Sequence, residues 1–212
     1  MITTTAGSER RPVDGAVGCV VVLAGGASVR LGEDKTRVLV GGVPVLDRLV
    51  QGLAVVVPDV PVVVVGPRRP TARPVVWCRE DPPGGGPVAG LARGLSAAST
   101  LVPDDGLVAV LAGDLPFAAP AVAALAAALG EAPAGTDGAL AVDESGDDQL
   151  LVGVHRAAAL RAAVAAQGGH GAVRGVVARL SVVRVPVPSP LTLDVDTPQD
   201  LQAARSLAAP GR

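Results

Sequence analysis

Short, unbroken apolar runs, each closed by glycine or proline, set the rhythm of this chain. Val17–Leu23 (VGCVVVL) opens into Ala24-Gly25-Gly26, the pattern of a buried parallel strand entering a glycine turn. Pro44–Leu53 has helical spacing with proline at its first position. Pro61–Val65 (PVVVV) reads as a second strand, stopped by Gly66-Pro67, and Pro74–Cys78 as a third. The breaker cluster Pro82–Gly86 predicts a loop, Pro87–Ala98 a helix, Leu107–Ala112 (LVAVLA) a fourth strand and Ala118–Leu129 an alanine-rich helix. Gly138–Val142 and Leu150–Val154 read as strands around the polar loop Asp143–Asp148. Arg156–Gln167 and Ala172–Leu180 read as helices, and Val182–Val187 and Leu191–Val195 as extended segments. A last helix, Pro198–Leu207, has Thr197 as N-cap, Pro198 at its first position and Asp200 in its first turn.

Strands alternate with helices over the first two thirds of the chain. This predicts an α/β fold with a mostly parallel sheet covered by helices on both faces. Ligands of such sheets bind at the carboxyl ends of the strands, so the polar residues that follow strands are the ones to weigh.

Composition narrows the function classes. The 212 residues are 49% apolar but only 1% aromatic, with no tyrosine, so aliphatic packing carries the core and an aromatic stacking platform for single-stranded nucleic acid is excluded. A net charge of −2 gives no field that would draw a polyanion, so the chain reads as a partner of small molecules and not of nucleic acid. Lys35 is the only lysine. Cys19 and Cys78 lie in strand-like runs and read as buried thiols, since a disulfide framework or zinc site needs more ligands. No apolar run approaches a membrane span, and Met1–Gly15 has no signal-like hydrophobic stretch. The expectation is a soluble cytoplasmic protein with residues 1–15 as a flexible tail and 16–212 as one domain.

The segment Leu23-Ala24-Gly25-Gly26 through Arg30 and Lys35 follows a predicted strand. Its glycines let backbone N–H groups approach phosphate oxygens, and Arg30 and Lys35 can neutralise those oxygens. It is not a Walker A loop, because Asp34 and not glycine precedes Lys35, and Gly84–Ala89 matches a dinucleotide fingerprint only formally, following prolines and not a strand. Asp114 ends the fourth strand, where a carboxylate is suited to hold Mg²⁺ beside phosphate. Asp194 and Asp196, two apart in an extended segment, share one side, and either is a second candidate metal ligand. Helix N-capping is the competing role for Asp196.

These motifs, in this order, resemble the molybdenum cofactor guanylyltransferase (MobA-like) family of NTP transferases. Leu23–Lys35 (LAGGASVRLGEDK) is similar to the family's signature, with Leu31 where methionine is usual. Gly42-Val43-Pro44, then Glu80-Asp81 with Gly86-Pro87-Val88-Ala89-Gly90, resemble its next two elements. Leu111–Pro116 resembles a further one, with Gly113 in place of cysteine, and Asp194–Leu201 the closing one. The resemblance spans about residues 17–207. One position departs: where the family often has asparagine after the second strand, this chain reads Val64-Val65-Gly66-Pro67-Arg68.

The resemblance implies a single Rossmann-like, three-layer α/β/α nucleotidyltransferase (GT-A-like) domain. It also implies GMP transfer from GTP to the phosphate of molybdopterin, with Mg²⁺ as cofactor and release of pyrophosphate. Arg30, Lys35 and Asp114 would be catalytic. Leu23, Ala24, Gly25, Gly26, Lys35, Asp81, Gly86, Pro87, Gly90 and Asp114 would contact the nucleotide, and Asp114 with Asp194 or Asp196 the metal. A molybdoenzyme or cofactor-biosynthesis protein is the implied partner. Of the two histidines, His155 reads as structural and His170 as part of a loop, and Arg174 is a candidate contact for an anionic substrate. The alternatives are a relative using CTP or another phosphate acceptor, and a non-catalytic nucleotide-binding module.

Overall fold

The computed structural model describes residues 16–25 and 34–209. Seven strands form one sheet in the order β5-β4-β1-β6-β8-β7-β9, built from β1 (Val17–Leu23), β4 (Val62–Val65), β5 (Val76–Cys78), β6 (Leu107–Ala112), β7 (Gly138–Val142), β8 (Asp148–Arg156) and β9 (Val182–Pro186). The pairs β4–β5, β1–β4, β1–β6 and β7–β9 are parallel. Strand β8 alone runs antiparallel to both its neighbours. The tight loop before it, Asp143–Asp147, makes this the natural outcome, because two strands joined by a hairpin reverse direction while parallel strands need a long crossover.

Alternation along each strand builds two cores. Val20 and Val22 of β1 face a layer that includes Leu46, Leu49 and Leu53 of α1 (Val45–Val56) and Val122, Leu125 and Leu129 of α3 (Ala119–Glu131). Cys19 and Val21 face the other layer, with Leu91 and Leu95 of α2 (Gly86–Ala98), Leu160 and Val164 of α4 (Ala157–Ala166) and Val176 of α5 (Val173–Val177). Both faces are covered, which is why β1 and β4 read as continuous valine runs and not as alternating ones. The two cysteines are buried free thiols, and the surroundings of Cys19 push its pKa up to about 11.

Close helix–sheet approach depends on glycine at one point that bears on the site. A Cβ on Gly94 of α2 would stand 2.5 Å from Val21 Cγ1 and 2.9 Å from Val65 Cγ2, so only glycine lets α2 lie this near β1 and β4.

Four details differ from the sequence expectation. Pro44 caps α1 from outside, having extended backbone, and so does not occupy the first helical position. A small antiparallel hairpin of β2 (Leu39–Val40) and β3 (Val43–Pro44) precedes α1, too short for periodicity to reveal. The helix expected over Ala172–Leu180 is a five-residue α5 that continues in turns. Leu191–Val195 is not a strand: a 3-10 turn at Ser189–Leu191 leads into irregular chain whose Val195 N–H donates to the Asp114 carbonyl (3.1 Å) and not to a sheet edge. The last helix, α6 (Pro198–Ala208), starts as expected. Thr197 accepts from Asp200 N–H while the Asp200 carboxylate accepts from Thr197 N–H, a reciprocal capping box. Among the described residues no helix is long and apolar enough to cross a membrane.

Candidate active site

At the carboxyl end of the sheet, strand order reverses between β1, whose successors β4 and β5 lie to one side, and β6 on the other. This is the switch point where open α/β sheets bind ligands. Backbone bonding continues past the strand ends there. Ala24 N–H donates to Val65 O (2.8 Å), Gly113 N–H to Leu23 O (2.8 Å) and Gly66 N–H to Cys78 O (2.9 Å), so the crevice floor is held by main chain.

A cavity of about 670 Å³ opens on this floor, large enough for a nucleotide. Its lining includes Leu23, Gly25, Lys35, Asp114, and Gly86, Pro87 and Gly90 of α2. No side chain hydrogen-bonds at the N-cap of α2, Gly85, and this end of the helix, which carries positive partial charge, borders the cavity. Gly90 leaves space: an added Cβ would meet only Leu23 and Val65 at 3.7 Å. Ala24 lines a smaller adjoining hollow with Asp34, Thr36, Lys35 and Asp114. Gly26 and Arg30 lie outside the described residues.

Lys35 sits at the centre of the charges. It opens a 3-10 turn, Lys35–Arg37, capped by Asp34, whose carboxylate accepts from Thr36 N–H (3.1 Å) and from its hydroxyl (2.6 Å). The Lys35 ammonium donates to Asp196 Oδ1 and stands 3.6 Å from Asp114 Oδ2, with all three side chains about three-quarters buried. Burial opposes the charge on Lys35, but the Asp196 hydrogen bond and the Asp114 charge outweigh it and leave its pKa raised. The Asp114 pKa is also raised, because burial outweighs the attraction of Lys35. Asp194 is raised to about 6, by desolvation of its carboxylate and then by the negative charges of Asp196, Asp114 and Asp200. The Asp194 residue as a whole stays exposed, so water screens part of this crowding.

The Val195 N–H to Asp114 O bond brings this C-terminal stretch alongside β6, and Val195 itself is fully buried between the two aspartates. The site therefore gathers Asp114 and Asp196 around one ammonium, with Asp194 near enough to feel both carboxylates, an excess of negative charge that suits a divalent cation. Among the described residues no group of three or more potential ligands is arranged around a single point. Mg²⁺ does not need such a cage, since it is commonly held by one or two carboxylates together with substrate phosphates, and Asp114 with Asp196 fits that donor set.

Some of the expected site residues lie outside the lining of the main cavity. Asp81 lines a neighbouring hollow with Arg93 and His170, and the main cavity is faced by Arg79 and Glu80, whose carboxylate accepts from Gly84 N–H (3.2 Å). The sequence pattern contains Glu80 beside Asp81 without singling it out as a contact, and nothing in it points to Arg79. Alternation carried on from buried Cys78 puts Glu80, and not Asp81, on the α2 side. Where asparagine is common in the family, Gly66 and Pro67 form the cavity wall; a Cβ on Gly66 would stand 2.6 Å from Ala24 O, so the backbone here has no room for a side chain. Arg68 lines a separate cavity beside α1. Arg174 is absent from the main cavity's lining, and its charge acts on Asp148. His155 is buried at the opposite end of β6, paired with Val108, far from these groups in register.

Comparison with known proteins bears on the fold and the family. The structure superposes on molybdopterin-guanine dinucleotide biosynthesis protein A from Archaeoglobus fulgidus with a TM-score of 0.63 at 24% identity, covering 89% of this chain and 97% of that one. A 4-diphosphocytidyl-2C-methyl-D-erythritol synthase gives 0.70 at 16% identity, covering 92% and 100%. The corresponding synthase from Anaerococcus prevotii gives 0.65 at 13% identity, covering 92% and 99%. At these identities the likeness establishes a shared fold. No curated protein matches in sequence. The model of the MobA-like NTP transferase domain matches residues 20–185, most of the chain, so this protein belongs to the MobA-like NTP transferase family and is a nucleotidyltransferase.

Proposed function

We propose that this nucleotidyltransferase moves GMP from GTP to the phosphate of a molybdopterin-type acceptor, releasing pyrophosphate and giving molybdopterin guanine dinucleotide. The observation that carries the reading is the meeting of Lys35 and Asp114 at the carboxyl ends of β1 and β6, facing one cavity with the uncapped start of α2. The guanine preference rests on the resemblance of Leu23–Gly26 and Gly86–Gly90 to guanylyl-transferring members.

An oxygen of the acceptor phosphate forms a bond to the α-phosphorus of GTP, and the bond from that phosphorus to the bridging oxygen of the leaving pyrophosphate breaks. The acceptor is ionised at neutral pH, so the protein's task is positioning and charge neutralisation. Lys35, with Arg30, neutralises charge on the departing phosphates. Asp114 and Asp196 would hold Mg²⁺, which would supply neutralisation of phosphate charge. The α2 N-terminus and Glu80 bound the nucleotide's side of the cavity.

The test is pyrophosphate release from GTP, CTP, ATP and UTP with Mg²⁺, with and without molybdenum-loaded molybdopterin, using Asp114→Ala as control. Release with GTP and pterin alone, lost in the control, supports the reading. Release with CTP replaces guanylyl by cytidylyl transfer. GTP binding without release under any condition moves the protein to another acceptor or to a nucleotide-binding module.

A further inference from the structure

The turn that presents Lys35 is held by a residue from a different part of the chain. Arg69 lies in the connection between β4 and β5, and its side chain is only 13% exposed. Its Nη1 donates to Asp34 Oδ2 at 2.9 Å and also to Thr36 Oγ1. Its Nε donates to the carbonyl of Pro67, which lines the nucleotide cavity (3.2 Å). One guanidinium thus grips the residues on both sides of Lys35 and ties them to Pro67 in the cavity lining.

The residues gripped are the ones that shape the turn. Asp34 caps it through its other carboxylate oxygen, and Thr36 is its one buried residue. A three-residue 3-10 turn has too few internal bonds to hold itself, so its geometry has to come from outside. Arg69 holds the residues flanking Lys35, and Asp196 is hydrogen-bonded to the ammonium itself. The planar fork of arginine suits this task, since it meets two acceptors from a single nitrogen while the Nε bond fixes its plane. Its remaining nitrogen, Nη2, is buried without a hydrogen-bond partner, a cost that the other contacts offset.

We propose that Arg69 is a positioning residue that sets the backbone of Lys35, and through it the place of the ammonium at the nucleotide phosphates. Its effect on turnover rests on the transferase reading above; its effect on Lys35 does not. Arg73, four residues on in the same connection, is the natural control. It braces the loop through the carbonyls of Pro58 and Val60 and not through the Lys35 turn.

Because Lys35 is the only lysine, selective ¹⁵N-lysine labelling gives one backbone amide signal, and that signal reports on this turn alone. In the unsubstituted protein its order parameter should match rigid backbone, about 0.85, and in Arg69→Gln it should fall toward about 0.6. Arg73→Gln should lower the melting temperature and leave the signal unchanged. With GTP and an acceptor, Arg69→Gln should lower kcat about tenfold, as expected for a misplaced catalytic charge, with a smaller change in KM. Thr36→Val, which removes one of the two acceptors, should shift the Lys35 signal in the same direction and serves if Arg69→Gln fails to fold. An unchanged Lys35 order parameter in a folded Arg69→Gln or Thr36→Val protein overturns the proposal, as does an equal loss of order in Arg73→Gln. Loss of order without turnover in any variant, or in the unsubstituted protein, leaves the positioning role standing and counts against the transferase assignment instead.

Discussion

The ammonium of Lys35 donates a hydrogen bond to Asp196 across 161 residues of sequence, joining the first loop of the sheet to the stretch that caps the last helix. The capping box of Thr197 and Asp200 fixes that stretch one residue later. Charge and scaffold are therefore separable at Lys35, whose neighbours are held by their own bonds.

Lys35→Ala follows from this separation. Turnover should fall by a factor on the order of 10²–10³, the size of effect seen when one group stabilising transition-state charge is removed. Thermal stability should change far less, since the turn's backbone is held by the bonds of Asp34, Thr36 and Arg69 and not by the ammonium. Steady-state kinetics beside a melting curve checks this. Equal losses in both would assign Lys35 a structural role.

Asp114 carries the opposite charge in the same pair, and the main chain around it is held independently of its carboxylate, with its carbonyl accepting from Val195. Asp114→Ala should abolish Mg²⁺-dependent turnover while circular dichroism and melting stay near those of the parent. Isothermal titration should show weaker Mg²⁺ binding in the presence of GTP. Undiminished metal binding in this variant would remove Asp114 from the ligand set.

Gly66 has no space for a side chain. In Gly66→Ala the new Cβ meets Ala24 O at 2.6 Å, so the ends of β1 and β4 have to part at the Ala24–Val65 bond. Overpacking of this kind costs about 1–3 kcal/mol, and here it should also raise the nucleotide KM, because Gly66 lines the cavity. A denaturant titration and a KM measurement test the two halves. A fully stable variant with unchanged KM would show that the backbone yields more readily than the geometry implies.

His155 should leave a signature in the pH dependence of stability. Its ring occupies space opened by Gly138 on β7 and Gly153 on β8, where an added Cβ would collide with the imidazole. It is 2% exposed, and its Nδ1 has no hydrogen-bond partner. Burial lowers its pKa to about 4, against the pull of Asp137. Above the unfolded value both states hold it neutral and stability is unaffected. As pH falls from about 6.5 toward 4 the unfolded chain takes up the proton first, so stability drops, by up to roughly 3 kcal/mol. His155→Phe, a ring that does not titrate, should flatten this limb without loss at pH 7. Parallel acid limbs for both proteins would assign the drop to other groups.

The apolar runs were enough to place the main strands and helices. A buried parallel strand and a helix face each have a local signature, and glycine and proline mark where each ends. Asp114 at the end of β6 and the capped start of α6 were legible for the same reason: each is a short stretch whose chemistry sits next to its structural signal. What tertiary structure alone decided is how distant stretches meet. The antiparallel course of β8, the choice of Glu80 over Asp81 for the cavity and the departure of Leu191–Val195 from strand form depend on neighbours that no local window contains. The contacts of Lys35 with Asp114 and Asp196, and the grip of Arg69 on its turn, depend on loops brought together by the sheet order. Local sequence sets periodicity and backbone preference, but a charge acts over distance in space, and that distance exists only once the chain has folded.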